Sequence, residues 1–176
     1  LLRIAGLLRC TRLVKNYYDT DPSSGCLDGL FFVLSPNKYL EDRIYTAIVS
    51  EEEISDQASP ALRDIRRHMR MQSAKVRESL QKIISSPAYA KYLQEPVITM
   101  RQGRYVVPVK SEHKNDIAGL VHDVSSSGGT FFIEPIQAVN ANNALRELEG
   151  QEQKEIERIL AELSAEAAGY REPMLE

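Results

Sequence analysis

Residues 97–135 read VITMRQGRYVVPVKSEHKNDIAGLVHDVSSSGGTFFIEP, and the period of this stretch decides the fold. Apolar and polar residues alternate in steps of two, the signature of strands with one face covered. The pattern predicts strands at 97–101, 104–110, 117–124 and 130–134. Their links are Gln102-Gly103, the polar run SEHKND, and a loop of three serines and two glycines. Gln102-Gly103 suits a two-residue hairpin, because glycine tolerates positive φ. Pro108 inside the second run cannot donate to a ladder, which points to an edge or a bulge there. Taken in chain order, the four runs form a meander.

The loop Ser125, Ser126, Ser127, Gly128, Gly129 raises the question of a phosphate. A P-loop needs G-x-x-x-x-G-K-[ST] opening a helix, so that amides and a lysine converge on the phosphates. Here the glycines run into Thr130-Phe131-Phe132-Ile133, a strand, and no lysine follows. The loop is therefore a turn, with nucleotide binding excluded on context.

Outward from the sheet the period changes to that of helices. On the N-terminal side, Ser59-Pro60 offers a serine N-cap and a proline at the first helical position. Leu62, Ile65, Met69, Val76 and Ile83 follow in three- and four-residue steps, with Gln72 and Ser79 filling the remaining seam positions. This predicts a helix to about Ser86, about 40 Å long at 1.5 Å per residue. A short helix, AYAKYLQ, follows Pro87. On the C-terminal side Pro135 opens a helix whose apolar face is Ile136, Val139, Leu145, Leu148, Ile156, Ile159, Leu160 and Leu163, ending near Gly169.

The first 58 residues read as a helical segment. LLRIAGLLRCTRLVKNYY sets Leu1, Ile4, Leu7 and Leu8 on one face and Arg3, Arg9, Arg12 and Lys15 on the other. The run DTDPSSG breaks it, two short helices follow, and VSEEEISDQAS is acidic and loop-like, with room for a short hairpin from Ile48 to Ile54. The fold expected is mainly α with a small antiparallel β insertion. Its parts are a helical segment at 1–58, an ascending helix and short helix at 59–96, the β insertion at 97–134 and a descending helix at 135–176.

Composition narrows the function. The 176 residues carry a formal charge of −3, so no global basic field argues for nucleic acid. Cys10 and Cys26 form neither metal spacing nor a disulfide framework, and Cys10, among apolar residues, reads as a buried free thiol. No apolar run reaches membrane-spanning length and no signal peptide is visible, so the cytoplasm is the expected location. The chain opens at Leu1 inside an apolar-periodic segment, which reads as a piece of a longer protein; Leu175-Glu176 reads as a non-native ending.

Charge is distributed unevenly. The first long helix carries seven basic residues, Arg63, Arg66, Arg67, Arg70, Lys75, Arg77 and Lys82, against Asp64 and Glu78. The last helix carries seven glutamates against Arg146, Lys154 and Arg158. Antiparallel pairing of a basic and an acidic helix accounts for the arginines better than nucleic acid does. In a meander, the turns at 102–103 and 125–129 share the end far from the helices, while SEHKND returns toward them. That far tip then holds Arg101, Arg104, Ser125, Ser126, Ser127 and the amides near Gly128, a set suited to phosphate oxygens. Lys110, His113 and Lys114 are secondary candidates nearer the helices. A solvated polar hairpin tip is the competing reading. His68, His113 and His122 are scattered, no metal spacing occurs, and no catalytic constellation is found.

ASPALRDIRRHMR, YLQEPVITMRQGRYVVPVKSEHKNDIAGLVHDVSSSGGTFFIEP and ANNALRELEGQEQKEIERIL resemble the second bacterial MutS subfamily, which lacks the mismatch-reading domain of its namesake. The resemblance spans nearly the whole chain, is most specific over 92–160, and is looser before Ser59. It implies a helical core, a lever of paired helices and a clamp, preceding an ATPase that binds ATP and Mg and often a C-terminal Smr endonuclease domain. Neither the ATPase motifs nor the Smr segment is present here. It further implies a homodimer formed through the ATPase domains, and clamps that meet the ligand at the far ends of the levers. That ligand is branched DNA in suppressing recombination, or the ribosome and its RNA in splitting collided ribosomes; a coiled-coil arm with no ligand is the third reading. Two positions depart from the subfamily: Gln102 where Asn commonly precedes the turn glycine, and Val124 where Gln is common.

Overall fold

The computed structural model describes residues 1–20 and 25–170; Leu175-Glu176 and most of the break after the first helix lie outside the described residues. Among the described residues, six α-helices and four strands follow in the order α1 (Leu2–Thr20), α2 (Asp28–Val33), α3 (Lys38–Ala47), α4 (Pro60–Ile84), α5 (Pro87–Ala90), β1 (Thr99–Arg101), β2 (Arg104–Lys110), β3 (Gly119–Val124), β4 (Thr130–Pro135) and α6 (Ile136–Gly169). The fold is mainly α with a small antiparallel β insertion, as the change of period predicts. It divides into two compact units: Leu1–Asp64 with the chain from Gln153 onward, and Ile65–Glu152.

The first unit is a helical core. Ala5 and Leu8 of α1, Leu40, Ile44 and Ala47 of α3, Leu62, and Ile159, Leu163 and Ala167 of α6 bury together. Ser59 caps α4 by accepting the Leu62 amide at 2.9 Å and donates its hydroxyl to Glu155 at 2.7 Å. Arg12 lies on the side of α1 that meets α3, where it pairs bidentately with Glu41, a residue only 3% exposed. That guanidinium holds the Glu41 carboxyl below its ordinary range. Two expectations change here. Leu7 is half-exposed, because the buried face turns through Ala5 and Leu8. Cys10 is exposed rather than buried, lying off that same face. Where the sequence leaves room for a short hairpin after α3, a single antiparallel bridge joins Ile48 and Ile54.

The second unit is built on the sheet, whose strand order is β1-β2-β4-β3. The meander expected from chain order is therefore incorrect. β2 and β3 both pair antiparallel with β4, which makes them parallel to one another, so the link 111–118 runs the length of the sheet. The cause lies in the last two strands: β4 closes on Ile133, Glu134 and Pro135, all buried, and takes the interior place beside β2. Tyr105, Val106, Val107, Pro108 and Val109 are all buried, and a strand covered on both faces belongs in the interior. β3, largely exposed, takes the edge. Ile117, in the link, drops into the core beside Val76, Leu80 and Ile83 of α4, Leu93, Val107, Val109, Ile133, and Ala138 and Leu145 of α6. Leu80 is fully buried, one position beyond the expected seam residue Ser79.

Two residues make this packing possible. Pro108 sits in an interior strand, where its carbonyl accepts the Gln94 amide at 3.0 Å. A proline cannot return the second bond of such a pair, and pairing on that side breaks off as the chain departs through Glu95-Pro96. Gly119 begins β3, and a Cβ there would stand 2.2 Å from the backbone oxygen of Glu134. Only glycine fits that approach.

Candidate nucleic-acid interface

The strand order separates residues that a meander would bring together. Lys110 is in register with Thr130, so the Ser125 to Gly129 turn lies at the end of the sheet where β2 finishes. The Ser111 amide donates to the Gly129 carbonyl at 3.1 Å, which brings SEHKND to the same end. The Gln102-Gly103 turn lies at the opposite end, where β4 passes into α6. The two turns do not share a tip, and Arg101 and Arg104 do not converge with Ser125, Ser126, Ser127 and Gly128. SEHKND does not return toward the helices at its start; it opens at the far end.

At the junction with α6 the polar groups are consumed by one another. Gln102 and Gly103 adopt φ of 50° and 72°, the left-handed pair a two-residue hairpin requires. Arg104 donates to both carboxylate oxygens of Glu134, at 2.8 and 3.1 Å, and to Asn143 at 2.7 Å. Glu134 is 0% exposed and also meets His122 Nε2 at 2.5 Å and Asn142 Nδ2 at 2.7 Å. Asn142 in turn binds the backbone N–H and C=O of Tyr105. Arg101 lies 4.1 Å from the Phe132 ring centroid and 3.4 Å from the Asp123 carboxylate. His122 and Asp123 form no dyad; a register shift between Val121 and Asp123 lets His122 reach Glu134.

The far end is open. The Ser125 amide pairs with Thr130 O and the Gly128 amide with Ser125 O, closing a tight turn in which Gly128 takes a φ of 73°. Ser125 Oγ accepts the Thr130 amide at 3.0 Å and lies 3.3 Å from Ser127 Oγ. Among the described residues, the amides of Ser126, Ser127 and Gly129 meet no acceptor. Three lysines lie toward this end of the sheet, where Lys110 is in register with Thr130. Lys114 lies 5.6 Å from the Phe131 ring centroid, Lys91 lies 4.7 Å from that of Tyr92, and Lys110 donates to the Lys91 carbonyl at 3.2 Å. The acidic residues here face the histidine instead: His113 meets Asp116 at 2.7 Å and Glu112 at 3.8 Å.

The long helices satisfy part of their charge against each other. Arg66 pairs with Glu152 at 2.6 Å. Much of the acidity of α6 is met on its own helix, where Arg158 binds Glu155 at 2.7 Å and also Glu162. Arg77 stacks over Tyr105 at 5.3 Å, and Ser73 hydrogen-bonds the Tyr105 hydroxyl at 2.8 Å, which lowers its pKa. Among the described residues, no three His, Cys, Asp or Glu side chains are placed to hold a metal, and no helix is long and apolar enough to cross a membrane.

Sequence reasoning missed Lys91, Glu134, Asn142 and Gly119. Lys91 lies in a segment read as helix that turns to bridge β2 through Leu93 and Val109. Glu134 carried a visible signal, a carboxylate closing the apolar run FFI, with Arg104 two strands earlier in the chain.

No model of a protein family matches the chain. Individual proteins do. The protein named endonuclease MutS2 of Ruminiclostridium cellulolyticum is 50% identical over 171 residues, covering 96% of this chain and 22% of the relative. Its namesake in Clostridioides difficile is 47% identical over 179 residues, 99% of this chain and 23% of the relative. That of Caldanaerobacter subterraneus is 58% identical over 133 residues, 76% of this chain and 17% of the relative. The similarity runs through both long helices and the sheet between them, and on it the chain belongs to the MutS2 family, the second MutS subfamily, as a region spanning about a fifth of those proteins' length.

Proposed function

We propose that this region is the lever and clamp of a MutS-type ATPase, and that it contacts branched DNA through the far end of the sheet. One observation carries the reading: the end of the sheet that holds three unmet turn amides and the serine hydroxyls also holds Lys91, Lys110 and Lys114. Backbone amides, hydroxyls and lysines are the groups that position a protein on phosphates without reading sequence. Binding of this kind is weak for one copy and is strengthened when two copies act together in a homodimer. ATP and Mg are bound elsewhere in the parent protein, as is the nuclease activity that its relatives' name records. This region transmits motion and does no chemistry.

The test is binding of labelled branched DNA by the full-length protein, with ribosomes as the competitor. Replacing Lys110→Glu and Lys114→Glu together should abolish the DNA complex at physiological salt while the protein stays folded. Wild-type binding by that variant would remove the far end as the contact. Displacement of DNA by substoichiometric ribosomes would instead assign the surface to ribosomal RNA.

A further inference from the structure

We infer that Glu134 is the pin of a latch that holds the sheet in one orientation on α6. The inference deepens the lever-and-clamp reading, since a lever can only drive a clamp that is fixed to it. The carboxylate is fully buried at the passage from β4 to α6, yet its partners come from three other places: Arg104 on β2, His122 on β3 and Asn142 on α6. Asn142 extends the network by binding both backbone groups of Tyr105, so α6 is joined to β2 a second time.

The hairpin turn closes over the same network. Gln102 Nε2 donates to the His122 carbonyl at 2.8 Å, and Arg101 reaches Asp123, so the β1–β2 turn is strapped to β3 across the intervening β4. The outermost strands of the sheet are thereby joined through side chains. On the other face of the turn a Cβ on Gly103 would stand 2.7 Å from Nη1 of Arg146, the movable end of a half-exposed side chain.

The chemistry predicts how the latch fails. Arg104 and Asn142 both donate to Glu134, so its carboxylate is the acceptor they share, with His122 Nε2 against the same group. Glu134→Gln replaces an acceptor oxygen by an N–H2 pointing at other donors, and a buried donor without an acceptor opens the local structure. Arg104, partly exposed, stays solvated, so the rest of the unit keeps its core.

The test is amide hydrogen exchange on the full-length protein without ligand, so its outcome is independent of whether branched DNA binds. Glu134→Gln should speed exchange in residues 102–103 and 119–124 about tenfold, the size expected from one lost hydrogen bond to a charged buried group. Exchange in α1 and α3 should stay unchanged. Asn142→Ala should give the same local pattern and serves if the first variant does not fold. Exchange that rises evenly across the chain, or in neither variant, would overturn the latch and leave Glu134 as ordinary packing.

Discussion

The two ends of one small sheet carry similar residues and use them oppositely. At the α6 end, Arg101, Arg104 and Gln102 are spent on Asp123, Glu134, Asn143 and the His122 carbonyl. At the far end, Lys91, Lys110 and Lys114 lie over aromatic rings or against one carbonyl, at the same end of the sheet as the unmet amides. A cation's availability is set by which carboxylate the fold brings to it, and chain order alone does not give that. The arginines looked free because a meander would have placed them away from Glu134.

If the contrast is right, damage at the two ends has different consequences. Glu134→Ala strips a buried, paired carboxylate and should cost roughly 2–4 kcal/mol, the lower figure reflecting the partial exposure of Arg104. Ser127→Ala at the far end should change stability by less than about 0.5 kcal/mol. Chemical denaturation of both variants measures the pair, and equal losses would break the contrast. Gly119→Ala comes next, because its Cβ would meet a backbone oxygen that cannot swing aside; it should cost about 2 kcal/mol by the same measurement.

A carboxylate in the helical unit gives a second scale. Glu155 is held down to about 2 from an ordinary 4.5, first by Arg158 and then by the Ser59 hydroxyl. Its folded pKa lies below its unfolded value, so its contribution is present above about 4.5 and is lost as pH falls through about 2. Glu155→Gln should flatten that acid limb in a melting-temperature titration and leave the neutral range nearly parallel to wild type. The smallest effect belongs to the turn. Gln102→Asn gains in the left-handed conformation but loses the strap to His122, and the net should stay within about 0.5 kcal/mol. Faster exchange at residues 119–124 in that variant would show the strap at work.

Much of this fold was legible in the sequence. Ser59-Pro60 did start a helix, Gln102-Gly103 did make a two-residue turn, and the period change at residue 97 did mark the sheet. The strand order was not legible, because alternation says which face a residue takes and nothing about which strand lies beside it. The one hint was the unbroken apolar run Phe131-Phe132-Ile133, which fits an interior β4, against a β3 interrupted by His122 and Asp123, which fits an edge. The turn's character was also legible, since Ser125, Ser126, Ser127 and Gly128 do form an open polar turn. Its neighbours were not, because Lys110 and Lys114 reach it only through the register of β2 with β4.

The central claim is that the far end, and not the α6 end, faces phosphates. The salt dependence of branched-DNA binding by the full-length protein tests it directly, with Lys110→Ala/Lys114→Ala and Arg101→Ala measured side by side. Loss of two phosphate contacts should flatten the slope of log affinity against log salt by roughly 1.8, at about 0.9 for each contact. Arg101→Ala should leave the slope where it was. A slope that changes for Arg101→Ala and stays fixed for the lysine pair would contradict the account.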